Sequence, residues 1–256
     1  MMKRAALFLA SAAFMASAAV AVAAPAVTAQ MKAAVADTSR PAADTARDEN
    51  RKPAAMLAFA GIAPGKVVVD MLPGAGYFTR IFAKAVEPHG RVYAYFGTQY
   101  DARLKGQGKD PDNQFADLKQ TYKNLDVIHG PLPQFVTPEP VDIVWTSDNY
   151  HDMHNKAYAM DVNEVNKAVF KSLKPGGYYV IIDHKAPENA GDDVTEALHR
   201  IKESTVKKEV EAAGFKLVAE SHDLNAPGDD GTKKVFDADV RGKTNQFMLK
   251  FQKPHH

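Results

Sequence analysis

The chain has 256 residues, 45% of them hydrophobic and 25% charged, which is the composition of a globular protein with enough apolar side chains for one sizeable core. Its 32 basic and 31 acidic side chains leave a net charge of +1, so no overall field favours nucleic acid or an anionic membrane as partner. The absence of cysteine excludes disulfides, thiolate metal sites and cysteine nucleophiles.

The first residues have the pattern of a secretory signal peptide. A basic start precedes an alanine-rich apolar run over residues 5–22, and small residues follow it. We expect cleavage after Ala23 or Ala29; the alternative, an uncleaved anchor, is poorly supported by so alanine-rich a run. The pattern of residues 1–29 therefore predicts that the protein is periplasmic or secreted. We expect no membrane association once the signal peptide is removed.

Residues 30–46 show little periodicity, so we expect them to form a flexible leader. The domain is predicted over residues 47–254. A short helix around Met56 comes first, followed by the strand KVVVD, a glycine turn and another helix. The later predicted strands are RVYAYF, LDVI, VDIVWTS, YYVIIDH, FKLVAESHDL and NQFMLKFQK. Strands that alternate with helices predict an α/β fold with a mostly parallel sheet.

Ligands of such sheets bind outside the carboxyl ends of the strands, near the point where the strand order reverses. The first strand ends in a turn that contains Gly74 and Gly76. Glycines let a ligand approach the backbone closely, and the helix that follows adds a positive partial charge. The turn predicts a site for an anionic or polar cofactor; the alternative is a tight strand-to-helix turn with no ligand.

The spacing of this turn separates two kinds of cofactor site. The nicotinamide fingerprint G-x-G-x-x-G fails because Thr79 stands at its third glycine. The stretch VVVDMLPGAGYFT instead resembles motif I of class I S-adenosylmethionine-dependent methyltransferases, and LKPGGYYVIIDH resembles the stretch before and along their fifth strand. The segments RDENRKPA, NYHDMH, HRIKESTVKKEVEAAGF and RGKTNQF further resemble a group of exported bacterial predicted methyltransferases.

The resemblance implies a Rossmann-like fold with a mostly parallel seven-stranded sheet, helices on both faces and S-adenosylmethionine across the first two strand ends. Carried over by motif, the cofactor-binding positions are Asp70, Gly74, Gly76, Phe96 and His129. Two positions depart from the family pattern. Leu72 replaces the usual first glycine of the motif, and Phe96 stands where an acidic residue normally binds the ribose hydroxyls.

A second group of polar residues follows the fourth and fifth predicted strands. The predicted catalytic residues are Tyr150, His151, Asp152 and His184. Such side chains can orient an acceptor hydroxyl or amine and remove its proton. The alternative for Tyr150 and Asp152 is a set of local hydrogen bonds in a turn. His199 could converge on the same place, but the sequence shows no dedicated metal-ligand spacing, so no metal site is predicted.

These features predict S-adenosylmethionine-dependent methyl transfer to a small-molecule acceptor. The paired prolines of amino-directed nucleic acid methyltransferases are missing, so no nucleic acid partner is predicted. The sequence specifies no oligomeric state. The alternative is an exported, non-catalytic binding or accessory protein that retains the fold, and export favours it because the cofactor is made in the cytoplasm.

Overall fold

The structure, a computed structural model, describes residues 26–113, 115–158 and 160–255. Of the predicted signal peptide, only residues 26–29 fall within this part, so its processing and the predicted export stay predictions. No helix in the described ranges is both long enough and apolar enough to cross a membrane.

The described residues form a seven-stranded sheet in the order β3-β2-β1-β4-β5-β7-β6. The strands are β1 (Val67–Met71), β2 (Arg91–Gly97), β3 (Leu125–Gly130), β4 (Val141–Ser147), β5 (Leu173–His184), β6 (Lys216–Ser221) and β7 (Gln246–Gln252). Strands β1 to β5 pair in parallel, whereas β7 is antiparallel to both of its neighbours. The predicted mostly parallel α/β sheet is confirmed.

Helices cover the sheet. They are α1 (Ala29–Val35), α2 (Ala42–Thr45), α3 (Asp48–Arg51), α4 (Pro53–Ala60), α5 (Tyr77–Ala85), α6 (Thr98–Gly106), α7 (Ala116–Thr121), α8 (Val162–Ser172), α9 (Val194–Leu198) and α10 (Glu203–Ala212). Helices α4 and α5 share one buried cluster with Trp145 of β4, whose ring contacts those of Phe78 and Phe82. Helices α8 and α10 contribute to a second cluster, which includes Val144. Because successive β4 residues enter different clusters, the sheet separates two apolar layers.

The segment expected to be a flexible leader contains two helices. Thr28 caps α1, and Met31 and Ala34 are buried against the cluster that contains α4 and α5. Two apolar residues at a spacing of three are too few to give a clear helical pattern in the sequence. Helix α6 was also not predicted, because only Leu104 of its residues is buried.

Candidate active site

Polar side chains collect where β1, β2, β4 and β5 end, and the strand order reverses between β1 and β4. Cavity A, of about 150 Å³, is lined by residues that include Leu72, Gly74, Gln99, Leu132 and Asn149. Cavity B, of about 180 Å³, is lined by residues that include Arg47, Arg51, Asp70, Leu72, Gly74, Asp148 and Asn149. The two cavities share the turn that follows β1.

A larger cleft of about 600 Å³ borders both cavities. It is lined by residues that include Arg47, Arg51, Arg103, Asp148, His151, Asp152, His184, His199, Phe236 and Gln246. It shares Arg47, Arg51 and Asp148 with cavity B, and Arg103 and Asp152 with cavity A. The three spaces therefore lie next to one another at the carboxyl ends of the strands.

Asp70, at the end of β1, is 3% exposed and lines cavity B. Its Oδ2 accepts a 2.6 Å hydrogen bond from the Thr79 hydroxyl. Burial raises the pKa of Asp70 to about 7, although this hydrogen bond and the charge of Arg51 act in the opposite direction. Near pH 7, Asp70 is therefore close to half protonated.

As the pH rises from 4 to 7, we expect the free energy of unfolding of the wild-type protein to fall relative to that of the variant Asp70→Asn. In this window folded Asp70 keeps a proton that the unfolded chain releases, so stability falls as the pH rises. Chemical denaturation at several pH values should show a difference in the free energy of unfolding that grows by about 2–4 kcal/mol across the window.

Asp142→Asn is the control for this experiment. Burial alone would raise the pKa of Asp142, but the backbone N–H of Val67 and the Lys174 ammonium hold this pKa below its usual range. The control should therefore be less stable than the wild type, by an amount that does not change between pH 4 and 7. A flat difference for Asp70→Asn would contradict the prediction.

The turn after β1 holds three residues in the left-handed backbone region. These are Leu72 (φ 59°), Gly74 (φ 58°) and Gly76 (φ 82°). A Cβ added at Gly74 would meet no atom within 4 Å, whereas one added at Gly76 would lie 2.9 Å from Cζ of Phe115. Leu72 stands where the family pattern has a glycine, and its left-handed backbone is one that glycine adopts with least strain.

Phe96 and His129 are among the predicted cofactor-binding residues, and neither is among the residues that line cavities A and B or the cleft. Phe96 is 0% exposed, and its ring stacks on that of His129 with 5.4 Å between centroids. His129 Nδ1 lies 2.9 Å from Asp101 Oδ1. Among the residues of α6 that line cavity A is Gln99, two positions after the end of β2.

His151 and Asp152 follow β4 and line the cleft, and their catalytic role stays a prediction. His151 is 3% exposed, its Nδ1 lies 2.7 Å from Asp183 Oδ1, and its Nε2 lies 3.3 Å from Asp152 Oδ1. Burial disfavours a charged imidazole, but Asp183 and Asp152 outweigh this effect and raise the pKa of His151 to about 10. Both ring nitrogens of His151 therefore have carboxylate partners.

His184 lies on the same wall of the cleft. Its Nδ1 is 2.7 Å from the Thr244 hydroxyl, and its Nε2 is 3.9 Å from Asp148 Oδ1. Asp148 also accepts hydrogen bonds from Arg51, at 2.6 Å, and from Gln246. Burial would raise the pKa of Asp148, but the charge of Arg51 holds it below its usual range.

Tyr150 points away from this wall. It is completely buried, its hydroxyl donates to Glu209 Oε2 at 3.0 Å, and Asn166 donates to the same hydroxyl at 2.8 Å. These partners belong to α10 and α8, so the Tyr150 hydroxyl lies between these two helices. Tyr150 is not among the residues that line the cleft. Side-chain direction after a strand depends on the local turn, which the sequence pattern did not reveal.

The structure also brings to the cleft residues that sequence reasoning did not include. Arg47 and Arg51 come from the N-terminal helical segment, and Phe236 comes from the long loop before β7. Buried Arg200 holds this loop through its 2.8 Å ion pair with Asp229. The sequence offered only weak indications of these roles, such as the occurrence of RDENR within the resemblance.

No family model matches the chain. A curated relative, the ubiquinone/menaquinone biosynthesis C-methyltransferase UbiE of Hydrogenovibrio crunogenus, is 26% identical over 127 residues. This match spans 50% of the chain and 45% of the relative, so less than half of that protein is represented.

Solved structures match a larger part of the chain. An S-adenosylmethionine-dependent methyltransferase from Aquifex aeolicus is 19% identical, with a TM-score of 0.52 over 80% of this chain and 89% of that one. The [4+2]-cyclase SpnF is 15% identical, with a TM-score of 0.53 over 84% of this chain and 82% of that one. Identities this low establish the architecture alone. The chain has the Rossmann-like fold of class I S-adenosylmethionine-dependent methyltransferases.

Proposed function

We propose that the protein transfers a methyl group from S-adenosylmethionine to a small-molecule acceptor. The observation that carries the proposal is that cavities A and B share lining residues with the cleft and so lie beside it, because a two-substrate transfer requires both reactants side by side. The similarity to the C-methyltransferase relative supports the same reaction class. The cleft volume of about 600 Å³ is within the range common for small-ligand sites.

The residues of cavities A and B fit the cofactor. Arg47, Arg51 and Asp148 present both charge signs in cavity B, which matches the carboxylate and ammonium of an amino acid. Leu72 and Leu132 give cavity A an apolar wall for a base, and Gln99 provides the hydrogen-bonding group there that Phe96 lacks. Gly74 lines both cavities, and no atom lies within 4 Å of a Cβ added there.

When bound, S-adenosylmethionine supplies an electrophilic methyl group on a sulfonium. The acceptor must lose a proton as it gains this methyl group, and histidine is well suited to accept a proton near neutral pH. We assign this role to His184, because Thr244 orients its Nδ1 and its Nε2 has no partner closer than 3.9 Å among the described residues. The carboxylate partners of His151 make it a poor proton acceptor.

Calorimetric titration of the purified protein with S-adenosylmethionine and S-adenosylhomocysteine tests the proposal. We expect saturable binding to the wild type. The variant Gly74→Asn should bind at least about tenfold more weakly, because Gly74 lines both cavities and the added side chain would compete with the cofactor there; tenfold corresponds to about 1.4 kcal/mol.

The matched control is Gly108→Asn. Gly108 also has a positive φ, of 69°, and no atom lies within 4 Å of an added Cβ, but it is exposed and lies outside cavities A and B and the cleft. The control should bind like the wild type. Absence of wild-type binding at millimolar cofactor would contradict methyl transfer and would favour the exported, non-catalytic alternative.

The place of action is a separate proposal. We propose that the protein acts in the periplasm or outside the cell, on the evidence of the signal-peptide pattern over residues 1–29 alone. N-terminal sequencing of the protein from an extracytoplasmic fraction would test this. A chain that stays in the cytoplasm with its first residues intact would contradict it.

A further inference from the structure

Two imidazoles and a carboxylate meet on one wall of the cleft. Asp152 Oδ1 lies 3.3 Å from His151 Nε2 and 3.6 Å from His199 Nδ1. One ligand atom from each of these three side chains lies within 4.8 Å of the other two. The separations of 3.3 and 3.6 Å suit ligand atoms that share one ion at the usual metal–ligand distances of about 2.0–2.2 Å.

Asp183 fixes the direction of the first imidazole. Its Oδ1 lies 2.7 Å from His151 Nδ1, and its Oδ2 accepts a 2.7 Å hydrogen bond from the His151 backbone N–H. Asp183 is itself completely buried, so it holds His151 in place from the side remote from the cleft. A carboxylate that orients a histidine through one nitrogen and leaves the other for the ion is a common arrangement at metal sites.

The second imidazole is held by its backbone. His199 ends α9 with a φ of 54°, in the left-handed region that non-glycine residues seldom adopt. The next residue, Arg200, is completely buried and paired with Asp229, which fixes the chain at this point. An uncommon backbone conformation maintained in this way is frequent at functional sites.

We propose that His151, Asp152 and His199 bind a divalent first-row transition-metal ion. Two imidazoles and one carboxylate suit ions such as Zn²⁺, Co²⁺ and Fe²⁺ better than Mg²⁺ or Ca²⁺, which prefer oxygen ligands. Three protein ligands leave coordination positions for water or for an oxygen of a molecule in the cleft. The ion would displace the proton shared between His151 and Asp152.

This inference does not depend on methyl transfer, so it is tested without cofactor. Protein stripped with a chelator is titrated calorimetrically with Zn²⁺, and we expect one ion per chain. His199→Ala and Asp152→Asn should each weaken binding at least about tenfold, and Asp183→Asn should weaken it about 10–100-fold by releasing His151. The control His154→Ala should bind like the wild type, because His154 pairs with Glu209 outside the cluster.

A second readout identifies the position directly. The chain contains no cysteine, so His199→Cys would introduce its first thiolate. With Co²⁺ this variant should show a thiolate-to-metal charge-transfer band that the wild type lacks. Each of three results would overturn the proposal. These are no saturable Zn²⁺ binding by the wild type, wild-type affinity in both His199→Ala and Asp152→Asn, or a folded His199→Cys variant without the band.

Discussion

Asp229→Ala is expected to lower the free energy of unfolding by about 3–5 kcal/mol, because it leaves the Arg200 guanidinium buried without its countercharge. Arg200 is 0% exposed, and its Nη1 and Nη2 donate to the two carboxylate oxygens of Asp229 at 2.8 and 2.9 Å. Asp229 also accepts from the backbone N–H of Asn245 at 2.7 Å, so the variant loosens the loop before β7 as well. Urea unfolding followed by circular dichroism measures the loss.

Asp239→Ala is the matched control, since it removes another ion pair of the same loop. Asp239 lies 2.6 Å from the Lys233 ammonium, but its side chain is 74% exposed, so we expect a change within about 0.5 kcal/mol. The double variant Arg200→Met, Asp229→Leu should recover part of the loss. A cost for Asp229→Ala no greater than that of the control would show that the buried pair does not hold this loop.

Gly76→Ala is expected to lower the free energy of unfolding by about 2–5 kcal/mol. The left-handed backbone at this position costs about 1–2 kcal/mol for any residue with a Cβ. Contact of that Cβ with Phe115, at 2.9 Å, and with Leu118, at 3.1 Å, adds about 1–3 kcal/mol of overpacking. Thermal and chemical denaturation both measure the change.

Gly74→Ala separates the roles of the two glycines. It has the same backbone cost but no contact, so it should lose only about 1–2 kcal/mol. Both positions were predicted to bind cofactor. The geometry assigns Gly76 mainly to the start of α5 and its packing, whereas Gly74 borders cavities A and B. Equal destabilisation by the two substitutions would contradict this division.

The wall of the cleft provides two chemical functions in our proposals. His184 is assigned to proton transfer, and the cluster of His151, Asp152 and His199 is assigned to an ion. Both groups lie at or after the ends of β4 and β5, whereas the proposed cofactor contacts come from the N-terminal helical segment and from residues near the ends of β1, β2 and β3. The similarity of this architecture to a [4+2]-cyclase shows that the chemistry must be argued from these side chains and not from the fold.

The sequence by itself determined the elements with strong local patterns. The β-branched runs of β1 and β4 alternate with amphipathic helices such as α5, and this alternation was enough to predict the parallel sheet and the edge where ligands bind. It also placed His151 and Asp152 at that edge, because residues that follow parallel strands end up together. Local periodicity is visible in a sequence because it repeats over a few residues.

Only the tertiary structure decided which side chains meet at that edge. Arg51 reaches Asp148 across 97 positions of the chain, and His199 approaches Asp152 from a segment without a distinctive pattern. The same applies to Tyr150, which turns toward α8 and α10, and to Phe96, which the core encloses. Such contacts depend on how loops close and how layers pack, and neither leaves a repeating signature in the residues that take part.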